Sequence, residues 1–480
     1  MIDFDKIPIV SGLKSYKERN MAVFHMPGHK QNKGLIEELE YIRENLYDFD
    51  ITEIEGSDNL HSPDGIIKEG MELLAKSMKS KKSYYLVNGS TSGVYSMMLG
   101  LFNRGDKVII QRNCHKSVYS ALELGDLTAE YIYPKVIDNF EILSGINYND
   151  LKKIVEKNKD AKGLVITSPS YFGTCSDIEK ISKLCKKNDM LLLVDEAHGA
   201  HFSFSKMLPY SAISLGADVS VTSFHKTLPS LTQTAVLNVS KSLSDKQIAK
   251  IEERMKIFQT TSPSYLFLAS MDMARYIMDK DGERLIGNLV NMVNDLKESL
   301  KDIKQIRFLE ENDINEERID PTRIVINTPV DGEKLSDILR EKYQIQIEMS
   351  YSNNIVLIGS PLDLKEVYER LKVALREIFS GFKGSDTTAT EKIKLYNIPP
   401  IVKLTQREID FKETIDINLE ASEGTICAET IVPYPPGVPI ILPGEEISRE
   451  LIDFIIKNNI LEKNVIRSSN LSSGKIRVIA

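Results

Sequence analysis

The amino-acid sequence predicts an α/β protein with a mostly parallel central sheet. The main observation is that strand-like and helix-like runs alternate from about residue 61 to residue 290. The strand-like runs are, in order, SYYLV, KVIIQ, AEYIYP, GLVITSP, LLLVDE and DVSVTS. Such alternation favours right-handed crossovers, which place helices on both faces of a parallel sheet. The length of 480 residues also exceeds one ordinary core, so we expect two or three domains.

Periodicity and composition divide the chain into four regions. Residues 1–60 are predicted to form an extended N-terminal arm centred on the loop-forming segment FHMPGHKQNKG, and residues 61–290 the large domain. A helix around LIGNLVNMVNDLKESLKDI leads to a smaller α/β domain at 291–383, in which RIVINTP and NIVLIGS are strands and LKEVYERLKVALREIF is an amphipathic helix. The polar segment 380–392 is predicted to be a linker, and residues 391–480 a C-terminal domain.

Composition and charge exclude several classes of protein. A net charge of −8 and a pI near 5.6 argue against nucleic-acid binding, which requires clustered positive charge. No run approaches the roughly 18 apolar residues of a membrane helix, and the N-terminus lacks the pattern of a signal peptide. The cysteines have neither CxxC nor zinc-type spacing, as expected of free thiols in a reducing compartment; they are Cys114, Cys175, Cys185 and Cys427. We therefore expect a cytoplasmic protein that binds neither nucleic acid nor a membrane.

A run of Gly, Ser and Thr follows the first strand of the large domain, in YYLVNGSTSGVYSMMLGLF. The apolar residues after it recur at the spacing of one helix face, so residues 88–93 are predicted to occupy a helix N-terminus. The backbone N–H groups there, with the hydroxyls of Ser90, Thr91 and Ser92, suit a phosphate group. An ordinary N-cap after a βα turn would give the same pattern.

The buried run LLLV ends in Asp195, within LLLVDEAHGAH. A carboxylate at the carboxyl end of a strand lies where open α/β sheets bind ligands, and it can hold a ring nitrogen protonated. The letters DEAH also occur in helicases, but these require GxxxxGK[ST], and Ser469 stands five residues before Gly474 where that motif needs glycine. A metal site built on Asp195, His198 and His201 has no other His or Cys cluster to complete it.

Lys226 follows the next strand-like run, in DVSVTSFHKT, and its nearest charged neighbour upstream is Asp218. It stands 31 residues after Asp195 (226 − 195), so one crossover separates the two strand ends and we expect them to be neighbours. A partly desolvated lysine has a lowered pKa and can form a Schiff base, although a surface lysine on a βα loop would also fit. A phosphate-binding helix N-terminus, a carboxylate that can pair with a ring nitrogen and a lysine that can form a Schiff base together indicate pyridoxal phosphate.

Motifs along most of the chain resemble the ornithine/lysine/arginine decarboxylase family of fold-type-I pyridoxal-phosphate enzymes. They are FHMPGHKQ, GSDNLHSPDGIIKE, NGSTSG, RNCHKS, DEAHGAH, SFHKT, TTSPSY and PYPPGVPIILPGE, and they extend from His25 to Glu446. The resemblance implies a large domain with a mostly parallel sheet, a smaller α/β domain and a C-terminal decarboxylase domain. It is a resemblance to the short form, without the additional N-terminal domain of long members. It also implies a homodimer or higher homo-oligomer with the active site at the subunit interface.

The resemblance implies a role for each matched position. Lys226 would form the Schiff base with the cofactor, and Asp195 would pair with the pyridinium nitrogen. His115 would stack on one face of the ring, and Ala197 would pack on the other. The remaining cofactor-binding residues would be Ser90, Thr91, Ser92, His198, Ser223 and His225, with Thr260 or Thr261 reaching from a second subunit.

The implied reaction removes the α-carboxylate of a basic amino acid, in polyamine biosynthesis. Its catalytic residues would be Lys226, His115 and His225, and Lys226 or His225 would protonate the α-carbon. Arginine is favoured over lysine and ornithine because the compact form resembles biosynthetic arginine decarboxylases. A cationic substrate side chain requires a carboxylate, for which Glu429 and Asp64 are candidates. Asp64 could equally be a turn residue, and Glu429 a structural ion-pair partner.

Other functions share part of this pattern. A pyridoxal-phosphate aminotransferase or another lyase would keep Lys226 and Asp195 but would clamp the substrate α-carboxylate with an arginine, for which Arg323 is the candidate. A non-catalytic ligand sensor would need a DNA-binding module, which the short arm is not basic enough to supply. Cys114 beside His115 suggests a Cys-His nucleophile, but nothing nearby orients the pair. The prolines of PYPPGVP could bind a partner, although an ordered turn suits their apolar flanks better.

Overall fold

The computed structural model describes residues 3–314, 318–380, 401–433, 438–462, 465–469, 471–472 and 474–480. Its strands are β1 (Ala22–Phe24), β2 (Lys82–Leu86), β3 (Lys107–Gln111), β4 (Thr128–Ile132), β5 (Pro134–Ile137), β6 (Ile142–Ile146), β7 (Gly163–Thr167), β8 (Thr174–Cys175), β9 (Leu191–Asp195), β10 (Val219–Thr222), β11 (Ala235–Val239), β12 (Arg307–Phe308), β13 (Arg318–Ile319), β14 (Arg323–Asn327), β15 (Ile345–Ile347), β16 (Met349–Tyr351), β17 (Asn354–Ile358), β18 (Thr414–Asn418), β19 (Ile431–Pro433), β20 (Val465–Arg467) and β21 (Lys475–Ile479). Its helices are α1 (Pro8–Glu18), α2 (Glu37–Glu44), α3 (Ile66–Ser77), α4 (Gly89–Leu101), α5 (Lys116–Gly125), α6 (Tyr148–Lys157), α7 (Ile178–Lys187), α8 (Phe224–Thr227), α9 (Asp245–Phe258), α10 (Tyr265–Leu300), α11 (Gly332–Tyr343), α12 (Lys365–Phe379), α13 (Gln406–Ile409) and α14 (Arg449–Lys457).

A seven-stranded sheet with the order β2-β11-β10-β9-β7-β3-β4 forms the centre of the large α/β unit. Its strands β10, β9, β7, β3 and β4 run parallel, which confirms the predicted α/β class. Each of the six predicted strand-like runs is a strand of this sheet. The run AVLNV, which forms β11, was not predicted to be a strand, and it pairs antiparallel with both neighbours. Between β10 and β11 the chain forms only the single-turn helix α8, so it returns without a helix that crosses the sheet.

Helix α4 packs closely on the sheet. A Cβ added at Gly93 would lie 2.6 Å from Leu86 Cδ1 and 2.9 Å from Val221 Cγ1, so only glycine allows this approach. The predicted apolar face of the helix is buried, including Val94 and Met97. The N-terminus of α4 therefore lies at the edge of the sheet where the parallel strands end.

The second unit is a four-stranded antiparallel sheet, β12-β14-β17-β16, packed against helices. The predicted strands RIVINTP and NIVLIGS are its neighbours β14 and β17. Helix α10 crosses residue 290 without a break: Met271 and Met278 belong to the large unit's core, while Val293 and Leu300 pack with β14 and β17. The domain boundaries remain a prediction, and one continuous helix contributes to both cores.

The first 60 residues are not extended throughout, since they contain α1 and α2. Strand β1 pairs parallel with β15 of the second unit, and Phe24 is fully buried there. The following loop reaches the large unit, where the Gly28 N–H donates to the His225 carbonyl at 2.7 Å. A Cβ at Gly28 would lie 2.4 Å from the Leu228 oxygen, so this approach also requires glycine. The predicted loop HMPGHK thus packs against the segment that carries Lys226.

The C-terminal region contains the antiparallel pairs β18–β21 and β19–β20 and helix α14, around a small apolar core. The predicted linker beyond Ser380 and the residues 434–437 of the proline-rich motif lie outside the described residues. In the described ranges, none of the helices is both long and apolar enough to cross a membrane.

Candidate active site

Asp195 and Lys226 meet at the carboxyl edge of the sheet, as the sequence predicts. Asp195 ends β9 and is the register partner of Val221 in the parallel strand β10, and Lys226 follows Val221 by five residues, in the helix turn α8. The Ala197 N–H donates to Asp195 Oδ1 at 3.1 Å. Burial raises the pKa of Asp195, and the Lys226 charge opposes this shift. Burial also lowers the pKa of Lys226 to about 8, against the attraction of Asp195.

His198 lies between the side chains of a lysine and an arginine. Its Nε2 is 2.9 Å from Lys226 Nζ, and its Nδ1 is 3.0 Å from an Nη of Arg323 on β14. The ring of Tyr171 stands edge-on to His198, with centroids 4.9 Å apart. Burial, followed by the charges of Lys226 and Arg323, lowers the pKa of His198 well below its usual value. His198 is therefore a neutral imidazole, and Arg323 reaches the site through it.

The second histidine of DEAHGAH has different partners. His201 Nε2 lies 3.1 Å from the Asp320 carboxylate and 3.1 Å from the Thr322 hydroxyl, and all three side chains are buried. Asp320 also accepts hydrogen bonds from the N–H and hydroxyl of Thr322. His198 and His201 thus each bind a different residue of the second unit.

The N-terminus of α4 carries the predicted hydroxyl groups. The Ser223 hydroxyl donates to Ser90 Oγ at 3.1 Å, so the start of α4 and the end of β10 meet. Ser90 and Thr91 are half-buried, whereas Ser92 is buried and donates its hydroxyl to the Gly89 carbonyl at 2.8 Å. The N–H groups in the first turn of this 13-residue helix form a favourable binding site for an anion. Ser92 supports that turn and has only its lone pairs left for a ligand.

His115 and His225 flank this edge. His115 caps α5, where its Nδ1 accepts the Ser117 N–H, and its ring is exposed in the single chain. Desolvation by neighbouring atoms lowers the pKa of His115 to about 4, and the Lys226 charge adds to this effect. His225 Nδ1–H donates to the Thr234 carbonyl at 2.9 Å, and burial lowers its pKa to about 4. Both rings are neutral at pH 7.

Neither predicted substrate carboxylate contacts Lys226 in the described part of the chain. Glu429 is fully buried in the C-terminal region, where it accepts from Arg467 Nε at 2.9 Å and from the Arg477 N–H at 2.8 Å. Asp64 is exposed, and its N–H donates to the buried Asp58 carboxylate. These contacts match the ion-pair and turn alternatives, while a substrate role stays a prediction. Thr260 and Thr261 are exposed, and their role toward a second subunit stays a prediction.

Two features of the site region were not predicted. Arg112, in the RNCHKS motif, forms a buried bidentate ion pair with Glu445 of the C-terminal region, which ties that region to the loop before His115. Lys30 of HMPGHK is buried and donates to the His25 and Ile358 carbonyls at 2.9 and 2.8 Å. Both residues belong to motifs that carry the family resemblance, but nothing in either motif indicates that the charge is buried or which residues it contacts.

Comparison with known proteins gives consistent matches along the chain. The family model described as "Orn/Lys/Arg decarboxylase, major domain" matches residues 7–365, and that of the C-terminal domain matches residues 402–463. An arginine decarboxylase of Bacillus subtilis (strain 168) is 34% identical over 458 residues, covering 94% of this chain and 93% of the relative. An arginine decarboxylase of Halalkalibacterium halodurans is 34% identical over 463 residues, covering 95% and 94%. The constitutive lysine decarboxylase of Escherichia coli shares the fold, with a TM-score of 0.78 at 19% identity, covering 92% of this chain and 76% of that one.

Proposed function

Because this chain belongs to the Orn/Lys/Arg decarboxylase family and is an amino-acid decarboxylase, we propose that it removes the α-carboxylate of arginine with pyridoxal phosphate as cofactor. The strongest support is the juxtaposition of the buried carboxylate of Asp195 with Lys226, whose pKa is lowered to about 8, beside a hydroxyl-lined helix N-terminus. Arginine is favoured because relatives that are 34% identical over almost the whole chain are named arginine decarboxylases.

The donor set at this edge of the sheet fits pyridoxal phosphate. When bound, the cofactor supplies the electron sink for the bond that breaks. Lys226 would hold it covalently, and the negative charge of Asp195 would keep its ring nitrogen protonated. Ser90, Thr91 and Ser223 would bind the phosphate together with the N–H groups of α4. His115 and Ala197 would enclose the ring from its two faces.

The basic groups of the site suit a proton transfer near neutral pH. An amine with a pKa of about 8 is present in both forms near pH 8, so Lys226 can both take up and release a proton there. His225 Nδ1–H is used by the Thr234 carbonyl, which leaves Nε2 as a free base. We therefore assign the return of a proton to the α-carbon to Lys226, and His225 is the alternative donor only once its Nε2 has taken up a proton.

The substrate head group needs a carboxylate, and neither predicted candidate, Glu429 or Asp64, contacts Lys226 in the described part of the chain. Glu348, whose charge acts on Lys226, already accepts hydrogen bonds from the Met26 N–H and the Tyr171 hydroxyl. Glu429 is saturated by cationic and N–H donors, so we infer that the acid is supplied across an interface between subunits. A homodimer, with Thr260 or Thr261 of each chain at the other's cofactor phosphate, is the minimum unit that this assignment requires. Cytoplasmic location and a place in polyamine synthesis complete the proposal.

The substrate can be identified by mass spectrometry of the products. Purified protein with pyridoxal phosphate would be incubated with equimolar arginine, lysine and ornithine. We expect agmatine, and we expect it to vanish in Lys226→Ala but to persist in Lys256→Ala, which removes an exposed lysine of α9. Cadaverine or putrescine without agmatine would overturn the arginine assignment. No amine from protein that holds the cofactor would contradict the proposed activity on all three substrates.

A further inference from the structure

The contacts of His198 restrict where its proton can be. Its Nδ1 lies 3.0 Å from the Arg323 guanidinium and its Nε2 lies 2.9 Å from Lys226 Nζ. His198 is 5% exposed and Arg323 is 4% exposed, so water does not compete for these contacts. The three side chains form a chain of hydrogen bonds from the second unit to the lysine of the sheet edge.

Only one assignment of protons satisfies both contacts. A guanidinium has no acceptor and keeps its charge in proteins, so Arg323 must donate, and His198 Nδ1 must offer a lone pair. A neutral imidazole then carries its hydrogen on Nε2, which donates to the nitrogen of Lys226. An amine accepts a hydrogen bond only when it is uncharged. A hydrogen on Nδ1 would instead set two donors 3.0 Å apart.

We propose that Arg323 is a positioning residue that fixes His198 in its Nε2–H tautomer and thereby favours the uncharged form of the Lys226 amine. This role presupposes the proposed function in one respect, since Lys226 must be the lysine that binds the cofactor. The free amine is the reactive form: its nitrogen adds to the aldehyde carbon, and the aldehyde oxygen leaves as water with the two amine protons. Arg323 thus prepares Lys226 for this reaction without touching it.

The surroundings of Arg323 support this role. Among the described residues its side chain donates one hydrogen bond, to His198, and its Nε and Nη1 have no partner although they are buried. The nearest carboxylate in sequence, Asp320, is engaged by His201 and Thr322. A guanidinium buried without a bidentate carboxylate is costly for stability, as expected of a residue that is kept for function.

Capture of pyridoxal phosphate by the full-length protein, freed of its cofactor, tests the proposal. The rate would be followed by absorbance as a function of pH. The charged and titratable groups that face Lys226 are Asp195, His198, Arg323 and Glu348, with His115 and His225 close by. Loss of the positioning contact favours the charged amine. We therefore expect Arg323→Met to raise the pH at which the capture rate is half-maximal by about one unit, which lowers the capture rate at pH 7 about tenfold. Arg323→Lys, which keeps a donor, should restore part of the loss.

The double variant separates a positioning role from a direct charge effect. In a His198→Phe background, Arg323→Met should shift the midpoint much less, because only the direct effect of the Arg323 charge on Lys226 remains and no imidazole is left to be oriented. An equal shift in both backgrounds would overturn the proposal, since it would mean that Arg323 acts on Lys226 through space. Arg376→Met, which removes an exposed arginine of α12, is the control.

The tautomer of His198 can also be measured directly in the wild-type protein. The chain has seven histidines, so histidine-selective ¹⁵N labelling of the wild-type protein gives a spectrum that His198→Phe can assign. We expect a protonated Nε2 and an unprotonated Nδ1 for His198, and a hydrogen on Nδ1 would overturn the proposal. Amine formation is measured separately. If the variants and the tautomer behave as expected but no amine is formed, only the proposed function is contradicted. If amine is formed but the variants or the tautomer do not behave as expected, only this inference is contradicted.

Discussion

Arg112 and Glu445 form a buried bidentate ion pair, with Nη1–Oε1 and Nη2–Oε2 distances of 2.8 and 3.0 Å. The guanidinium also lies 4.9 Å from the centre of the Tyr131 ring. The pair joins the C-terminal region to the loop that leads into His115. It therefore couples the stability of the C-terminal region to the position of a residue that we assign to the cofactor.

Breaking this pair should be costly because the remaining charge stays buried. We expect Glu445→Gln to lower the free energy of unfolding by about 3–5 kcal/mol, measured by urea denaturation. Asp302→Asn, which breaks an exposed pair with Arg376, should cost less than about 1 kcal/mol. Arg112→Met combined with Glu445→Leu should recover part of the loss, because no charge is then left unpaired. Equal small effects at both pairs would contradict this account.

We predict that position 28 does not tolerate any side chain. The Cβ of Gly28→Ala would lie 2.4 Å from the Leu228 oxygen, so the loop must move away from the segment 225–228. We expect a loss of about 1–3 kcal/mol in unfolding free energy and weaker retention of pyridoxal phosphate on dialysis. Gly12→Ala in α1 is the matched control, since nothing lies within 4 Å of its added Cβ, and it should be stabilising by about 0.5–1 kcal/mol. Similar cofactor retention by both variants would rule out this role of Gly28.

Asp195→Asn separates the two effects of this carboxylate. Burial lowers the pKa of Lys226, and the Asp195 charge partly raises it again. Removal of that charge should lower the Lys226 pKa further, so capture of pyridoxal phosphate should reach its half-maximal rate at a lower pH. Turnover should nevertheless fall by about 10²–10³-fold, because the charge that develops on the cofactor ring is no longer balanced. A midpoint that moves to higher pH would show that Asp195 does not act on Lys226 as described.

Glu429→Gln decides between a structural and a substrate-binding role for this buried carboxylate. Its contacts with Arg467 and Arg477 predict a large loss of thermal stability, with an unchanged KM for arginine in the protein that remains folded. Melting temperature and steady-state kinetics would be measured on the same preparation. A normal melting temperature with a KM raised tenfold or more would instead assign Glu429 to the substrate.

Much of the sheet and the Asp195–Lys226 pair follow from local sequence. The parallel strands β3, β7, β9 and β10 are largely apolar and end in a polar residue. Since parallel strands end at the same edge, one crossover made Asp195 and Lys226 neighbours. Strand β11 was missed because the preceding SFHKTLPSLTQT has the composition of a loop and gives no sign that the chain returns to the sheet.

The contacts that refine the site depend on residues far apart in the chain. His198 and Arg323 are 125 positions apart, and Arg112 and Glu445 are 333 positions apart. No spacing rule links such residues, since their meeting depends on how the second unit and the C-terminal region pack on the sheet. Glu429 was likewise ambiguous, because a carboxylate in an apolar stretch of sequence looks the same whether its partner is a substrate or Arg467.

Reductive trapping tests the central claim most directly. The purified protein, loaded with pyridoxal phosphate, would be treated with borohydride, digested, and mapped by tandem mass spectrometry. We expect the pyridoxyl group on the peptide that contains SFHKT, at Lys226, with loss of amine formation in the reduced protein. A pyridoxyl group on another lysine, with Lys226 unmodified, would contradict the assignment of this sheet edge as the active site.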